Sequence, residues 1–294
     1  MVPKAEIRTY YDRPVLKKPV WKWYIPAYFF TGGMAGASST LAWAARLRGN
    51  HVLARRAGLV SLAGIAVSPV LLIVDLGRPS RFYNMLRVAR PTSPMSMGTW
   101  LISLFGPLSG ASAVSDVTGV FPRLGALCEA LAGILGPAVS TYTAVLTSDT
   151  AIPAWHEAWR ELPVVFAGGS AASAGAAAVL LTPAEHAEPA RRLVVLGTAI
   201  EVGAEQAMEA RLGRLAAPYH SGKASRPAKA AKSFLVAGLA LAAAGRRRPL
   251  LAKAGAVATL AGVALTRWSI FKAGFDSAED PTFTVQPQRE RLPV

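Results

Sequence analysis

The chain has 294 residues, 52% of them hydrophobic and only 17% charged, with a net charge of +15. A soluble domain carries about 25% charged residues, and here the apolar residues gather in runs near the ~20 needed to cross a bilayer, which excludes an ordinary soluble domain and points to a polytopic membrane protein. In a soluble chain this basicity would suggest nucleic acid, but the Lys and Arg residues crowd the stretches between apolar runs, where they orient helices and meet anionic lipid, so the membrane is expected as a partner and nucleic acid is not.

A basic segment, residues 1–22, opens the chain with six Lys or Arg residues. No cleavable signal peptide is expected, because the first apolar run begins only near Trp23 and is too long for one. Eight apolar segments follow: residues 23–46, 52–74, 98–116, 124–147, 160–181, 191–211, 231–245 and 250–271. They predict an all-α integral membrane protein of eight transmembrane helices. The helices divide into a first four-helix bundle, 23–147, and a second, 148–272, with a C-terminal tail, 273–294. Even parity puts both termini on one side. That side holds 20 Lys or Arg residues and the other 11, while Arg267 lies inside the last span. The bias predicts cytoplasmic termini in a cell membrane.

The halves carry a parallel internal repeat. Pro26, Phe29, Gly32 and Gly33 recur as Pro163, Phe166, Gly168 and Gly169, at offsets of 137, 137, 136 and 136 residues. Leu76-Gly77-Arg78 recurs as Leu212-Gly213-Arg214, again at 136. The glycine runs have a plain reading, since small residues let membrane helices pack closely; a flat ligand can use the same space.

Between the second and third segments lies a turn-rich basic stretch, Asp75-Leu-Gly-Arg-Pro-Ser-Arg-Phe-Tyr-Asn-Met-Leu86, then Arg90-Pro-Thr-Ser-Pro-Met-Ser-Met-Gly-Thr-Trp100. Pro79, Pro91 and Pro94 stiffen it. Arg78, Arg81, Arg87 and Arg90 can neutralise an acidic partner, so the stretch reads as a binding surface at a membrane boundary. The second repeat lacks the Pro-Ser-Arg-Phe continuation, which places specialised chemistry in the first half.

Bis-histidine haem needs His inside facing helices, whereas His51, His156, His186 and His220 all fall in loops or at helix ends. Cys128 is the single cysteine, too few for an iron–sulfur cluster or an internal disulfide. No haem, cluster or other metal is expected in this chain. The intramembrane acids are more informative. Glu201, Glu205 and Glu209 repeat at i, i+4, i+8 and so share a helix face; Glu129 lies in the fourth span. Charges in the bilayer core face the protein interior or water. A proton path through Glu201, Glu205 and Glu129 is one reading; a structural pair between a glutamate and Arg267 is the other. Tyr142, in Ser140-Thr-Tyr-Thr-Ala, falls on the same face as the Asp75–Trp100 stretch, where a phenol can donate to a carbonyl oxygen. Tyr24, Tyr28 and Thr31 lie toward that face too, while Trp21, Trp23 and Tyr24 fit an interfacial aromatic belt.

The chain resembles the polysulfide reductase membrane-subunit family (NrfD-like). The resemblance rests on Trp21-Lys-Trp-Tyr-Ile-Pro-Ala-Tyr-Phe-Phe-Thr-Gly-Gly-Met-Ala-Gly36, Asp75 to Leu86, Ser93-Pro-Met-Ser-Met-Gly-Thr-Trp100, and Tyr142-Thr-Ala-Val-Leu146, where the family pattern reads Tyr-Thr-Gly. These motifs cover roughly residues 20–150. The resemblance implies a haem-free subunit binding a quinone (menaquinone or ubiquinone) near one membrane face. It further implies electron exchange with a ferredoxin-like four-cluster iron–sulfur subunit, itself wired to a molybdopterin catalytic subunit. Carried onto this sequence, Tyr142 is the hydrogen-bond donor, Asp75 and Arg78 shape the pocket mouth, Ser93, Met97 and Trp100 form walls, and Thr31 or Tyr28 makes contact from the first span. Arg78, Arg81, Arg87 and Arg90 would dock the partner. Three alternatives stand beside this expectation: a proton-translocating module of a larger respiratory complex, a secondary transporter, and a purely structural anchor.

Overall fold

The computed structural model describes residues 15–291, so most of the basic N-terminal segment and the last three residues lie outside the described residues. Among the described residues the chain is helical, with no strand. Eight helices of 20 or more residues occur: α1 (Tyr24–Leu47), α2 (His51–Asp75), α3 (Pro94–Thr118), α4 (Pro122–Ser148), α5 (Leu162–Leu181), α6 (Glu188–Leu212), α7 (Ser225–Ala244) and α8 (Pro249–Glu279). Each predicted segment falls on one of them. Six, α2 to α5 with α7 and α8, are long and apolar enough to cross a membrane. Of the eight transmembrane spans expected, six therefore meet that standard and α1 and α6 do not. The glycines, serines and threonines of α1 dilute its hydropathy, and α6 carries Glu201, Glu205 and Glu209.

The boundaries shift for local reasons. α3 begins at Pro94 rather than 98. Ser93 caps it by accepting from the Ser96 N–H at 3.5 Å, and a proline suits the first turn because its missing N–H has no helical partner there. α8 runs on to Glu279, so the expected tail begins as helix and continues as a second one, Thr282–Arg291. Asp280 ends α8 in an extended conformation, as a residue before proline prefers.

Helix pairing follows the sequence repeat. α1 packs on α2 and α4, and α3 closes against both; α5 packs on α6 and α8, and α7 closes against both. The halves meet where α5 lies against α1 and α4, with α8 also touching α1. Gly77 and Gly213 end α2 and α6 with φ of 68° and 54°, a left-handed turn that glycine alone adopts without cost. After each comes a 3-10 turn and a short helix: Pro79–Arg81 with Phe82–Leu86, and Gly213–Ala216 with Ala217–His220.

Polar contacts mark two ends of the molecule. At the first, the Lys22 N–H donates to Asp75 at 3.3 Å, Arg211 clamps Glu161 through two 2.6 Å bonds, and the Lys223 N–H donates to Asp276 at 2.8 Å. At the second, the Asn50 amide donates to the His186 carbonyl at 3.0 Å. The connector after α4 is plugged into the second half. Trp155, in the short helix Pro153–His156, is wholly buried and donates through Nε1 to the Ile270 carbonyl at 2.7 Å. Trp21 stacks on it with ring centroids 5.4 Å apart. Trp21 is half-buried at the edge of this cluster, while Trp23 stays exposed.

Candidate functional site

α2 and α3 diverge at the first end and enclose a cavity of about 380 Å³. Its walls are overwhelmingly apolar, including Ile65, Leu72, Met95 and Ile102, with Trp21 and Phe82 toward the mouth. From α3 it takes Met95, Gly98, Thr99, Ile102, Ser103 and Gly106, which recur at i, i+3, i+4, i+7, i+8 and i+11 and so share one helix face. Pro69 and Pro107 interrupt α2 and α3 within this wall. Each lacks an N–H, which leaves the carbonyls of Ile65 and Ser103, themselves wall residues, without their helical donor.

Tyr142 of α4 closes the cavity from the side. No described residue hydrogen-bonds its hydroxyl. Gly98 sits against its ring so closely that a Cβ there would overlap Cε2. Tyr28 backs the ring edge-on at 6.3 Å, is buried, and keeps its own hydroxyl without a partner. Asp75 stands at the mouth, at the C-terminal end of α2. A carboxylate there opposes the helix dipole, and the Lys22 N–H, at 3.3 Å, partly compensates. The site thus offers a free phenol and an acidic mouth in apolar surroundings.

The other residues expected here lie off the cavity. Met97 and Trp100 point the other way along α3, both about half exposed, and Trp100 Nε1 donates to the Val88 carbonyl at 3.3 Å. Ser93 is the cap of α3. Thr31 is hydrogen-bonded to Ser68 at 3.0 Å, behind the wall. Arg78 is exposed on the loop rather than in the lining. Gly98, Met95 and Trp21 were missed, although the helical period counted from Gly98 would have chosen Met95 and Ile102 over Met97 and Trp100. Arg78, Arg81, Arg87 and Arg90 are all exposed, and none pairs with an acid among the described residues. Ser96 pins their loop by donating to the Val88 carbonyl at 2.8 Å while accepting from the Arg90 N–H at 2.9 Å.

The acids divide between two places. Glu201 is fully buried with Oε1 4.0 Å from Arg267 Nη1, and neither carboxylate oxygen has a hydrogen-bond partner. Arg267 donates to the Phe166 carbonyl at 2.9 Å and lies 4.0 Å over the Phe166 ring. Gly169 makes the room, since a Cβ there would come within 2.6 Å of both Arg267 and Glu201. Glu205 and Glu209 continue along α6 toward the first end, where Glu209 lies 3.4 Å from the exposed His220. Glu129 belongs elsewhere. Near the second end it is paired with Arg46, which also donates to Asp116 at 2.8 Å. The structure does not bring Glu129 to Glu201.

These features define a class: a multi-pass helical membrane protein with an apolar cavity at one end. The chain belongs to the NrfD family, for the model described as "Polysulphide reductase, NrfD" matches residues 14–191. The match covers the cavity, the arginine loop, Tyr142 and all of α5, and membership implies a membrane subunit of a redox complex. No curated protein matches the chain.

Proposed function

We propose that this subunit exchanges electrons between the membrane quinone pool and an iron–sulfur subunit docked at the first end. The observation that carries the reading is the Tyr142 hydroxyl, held without a partner on an apolar cavity at a membrane boundary. The cavity fits the group: its apolar walls take a ring system, the phenol offers a donor to a ring oxygen, and the Asp75 carboxylate at the mouth offers an acceptor. A quinol, when bound, supplies two electrons and two protons. Tyr142 orients the ring oxygen by donating to it. The Asp75 carboxylate would take the two protons in turn at the mouth and pass each to solvent before the next. Walls from α2 and α3 exclude water, and the pinned arginine loop presents unpaired cations to the acidic face of a four-cluster ferredoxin-like subunit. That partner would hand electrons to or from a molybdopterin subunit.

All eight long helices cross the membrane in this reading, as two four-helix bundles related by the 136-residue repeat, with both termini cytoplasmic. α1 is an interior helix, packed on α2, α4, α5 and α8, and needs less hydropathy than a lipid-facing one; α6 lies at the periphery and turns Glu201 inward against α8. A second role is favoured by the buried Glu201: together with Glu205 and Glu209 it forms a proton route to the first end, coupling proton movement to electron flow.

The test is the intact complex, extracted gently through a tag on this chain. An iron–sulfur partner and bound quinone should co-purify. Tyr142→Phe should lower quinol oxidation about 100- to 1,000-fold, the range lost when a positioned hydrogen-bond donor is removed, while dye-mediated activity of the partner stays intact. Glu201→Gln should retain electron flow and lose proton uptake in vesicles. A lone chain free of quinone, or an unaltered rate in Tyr142→Phe, overturns the reading.

A further inference from the structure

The second end carries a cationic cleft for which electron exchange at the first end has no use. The connector between α5 and α6 and the connector between α7 and α8 enclose a cavity of about 140 Å³, walled by Thr182, Glu188, Arg191, Arg246, Pro249 and Lys253 among others. Its charge is unbalanced. Glu188 is already engaged, by Arg191 at 2.7 and 2.8 Å and by Arg192 at 2.9 Å, and Arg191 is braced on the Ala242 carbonyl at 2.9 Å. Those bonds leave the Glu188 carboxylate paired within the wall. Arg246 and Lys253 are left with no acidic partner among the described residues, and Arg247 and Arg248 adjoin them in sequence. Thr182, also in the wall, is buried with a hydroxyl that has no hydrogen-bond partner. α8 starts at Pro249, so its N-terminal dipole adds to the positive field.

We propose that this cleft binds the phosphate of an anionic phospholipid. The chemistry asks for a compact anion with several acceptor oxygens, which forked guanidinium and ammonium donors satisfy. The lipid source is favoured by what flanks the cleft. Leu181, Leu250 and Val257, next to Thr182, next to Pro249 and one turn beyond Lys253, are 52%, 80% and 57% exposed. Acyl chains would cover these apolar side chains; free phosphate would not. α5 and α8 are both membrane-length apolar helices, so their ends place the cleft at headgroup depth. The site also accounts for the dense arginine run on the face with fewer cations: those residues recognise lipid and say little about orientation.

The experiment uses the full chain in nanodiscs and native mass spectrometry in mild detergent. Wild type is reconstituted in phosphatidylcholine with and without phosphatidylglycerol. The comparisons are Arg246→Gln/Lys253→Gln and a control, Arg48→Gln/Arg123→Gln, at the same end but outside the cleft. Wild type and control should retain bound phosphatidylglycerol through delipidation. The cleft variant should retain at least about tenfold less, the loss expected when a charge-assisted hydrogen bond to the phosphate is removed. Equal retention by the cleft variant and wild type overturns the proposal. So does a wild type that holds phosphatidylcholine as firmly, which needs no variant to fold. Displacement of the lipid by millimolar inorganic phosphate would assign the cleft to free anion and overturn the lipid source.

Discussion

Gly98→Ala tests whether Tyr142 is held in place or merely happens to be nearby. The added methyl would overlap Tyr142 Cε2 and stand 3.2 Å from Cζ. The buried Tyr28 backs the ring at 6.3 Å, so the ring can yield only toward the cavity it lines. Overpacking of this kind costs about 1–3 kcal/mol of stability. Relief requires the ring to swing away from α3 and carry its hydroxyl with it, and a misplacement of about 1 Å at a positioned group costs about 100-fold in rate. The assay is thermal unfolding in detergent beside quinol oxidation by the assembled complex. Gly110→Ala is the internal control, in the same helix with nothing within 4 Å of the new methyl; it should leave both readouts unchanged or slightly raise stability, as alanine favours helix by about 1 kcal/mol over glycine. The expected pattern is a loss confined to position 98, deeper in rate than in stability. A Gly98→Ala variant as active as Gly110→Ala would show that Tyr142 is not held by this contact, and would remove the argument that α3 positions it.

Arg267→Met should destabilise the protein by about 3–5 kcal/mol, since it strands a buried carboxylate, and adding Glu201→Gln should recover part of that; unchanged unfolding of the single variant would refute the pairing. At the first end, Arg211 bonded to Glu161 holds that carboxyl below its usual range. A lowered folded value means the contribution is complete above the ordinary carboxylate range near 4–5 and is lost as pH falls through the folded value. The partly exposed pair is worth under about 1 kcal/mol. Glu161→Gln should therefore lower Tm slightly at pH 7 and match wild type near pH 3; an equal offset at both pH values would sink the assignment.

Much of this protein was legible in residue order because membrane helices are specified locally. A run of about 20 apolar residues must satisfy its own backbone in lipid, and six of the eight segments coincide with helices long and apolar enough to cross a membrane, the other two with helices that are less apolar. The repeat was legible in Gly77 and Gly213, because a left-handed turn selects glycine whatever surrounds it. The arginine loop was legible as a polar island between spans. The Asp75 and Tyr142 motifs marked where the cavity would form.

Facing and partnership were decided elsewhere. Nothing in the order of Met95, Met97 and Trp100 says which side of α3 meets α2; only packing turns Met95 and Gly98 inward and leaves Met97 and Trp100 out. Glu129 and Glu201 look alike as acids within apolar runs, yet Arg46 takes one and Arg267 lies beside the other, because each arginine comes from a distant helix brought close by the fold. Nor does the order of residues say that Trp21 stacks on Trp155, 134 positions away. Helix existence is a property of short stretches of chain, set by the cost of an unpaired backbone in lipid. Which side chains meet depends on how eight helices settle against one another, and no short stretch contains that information.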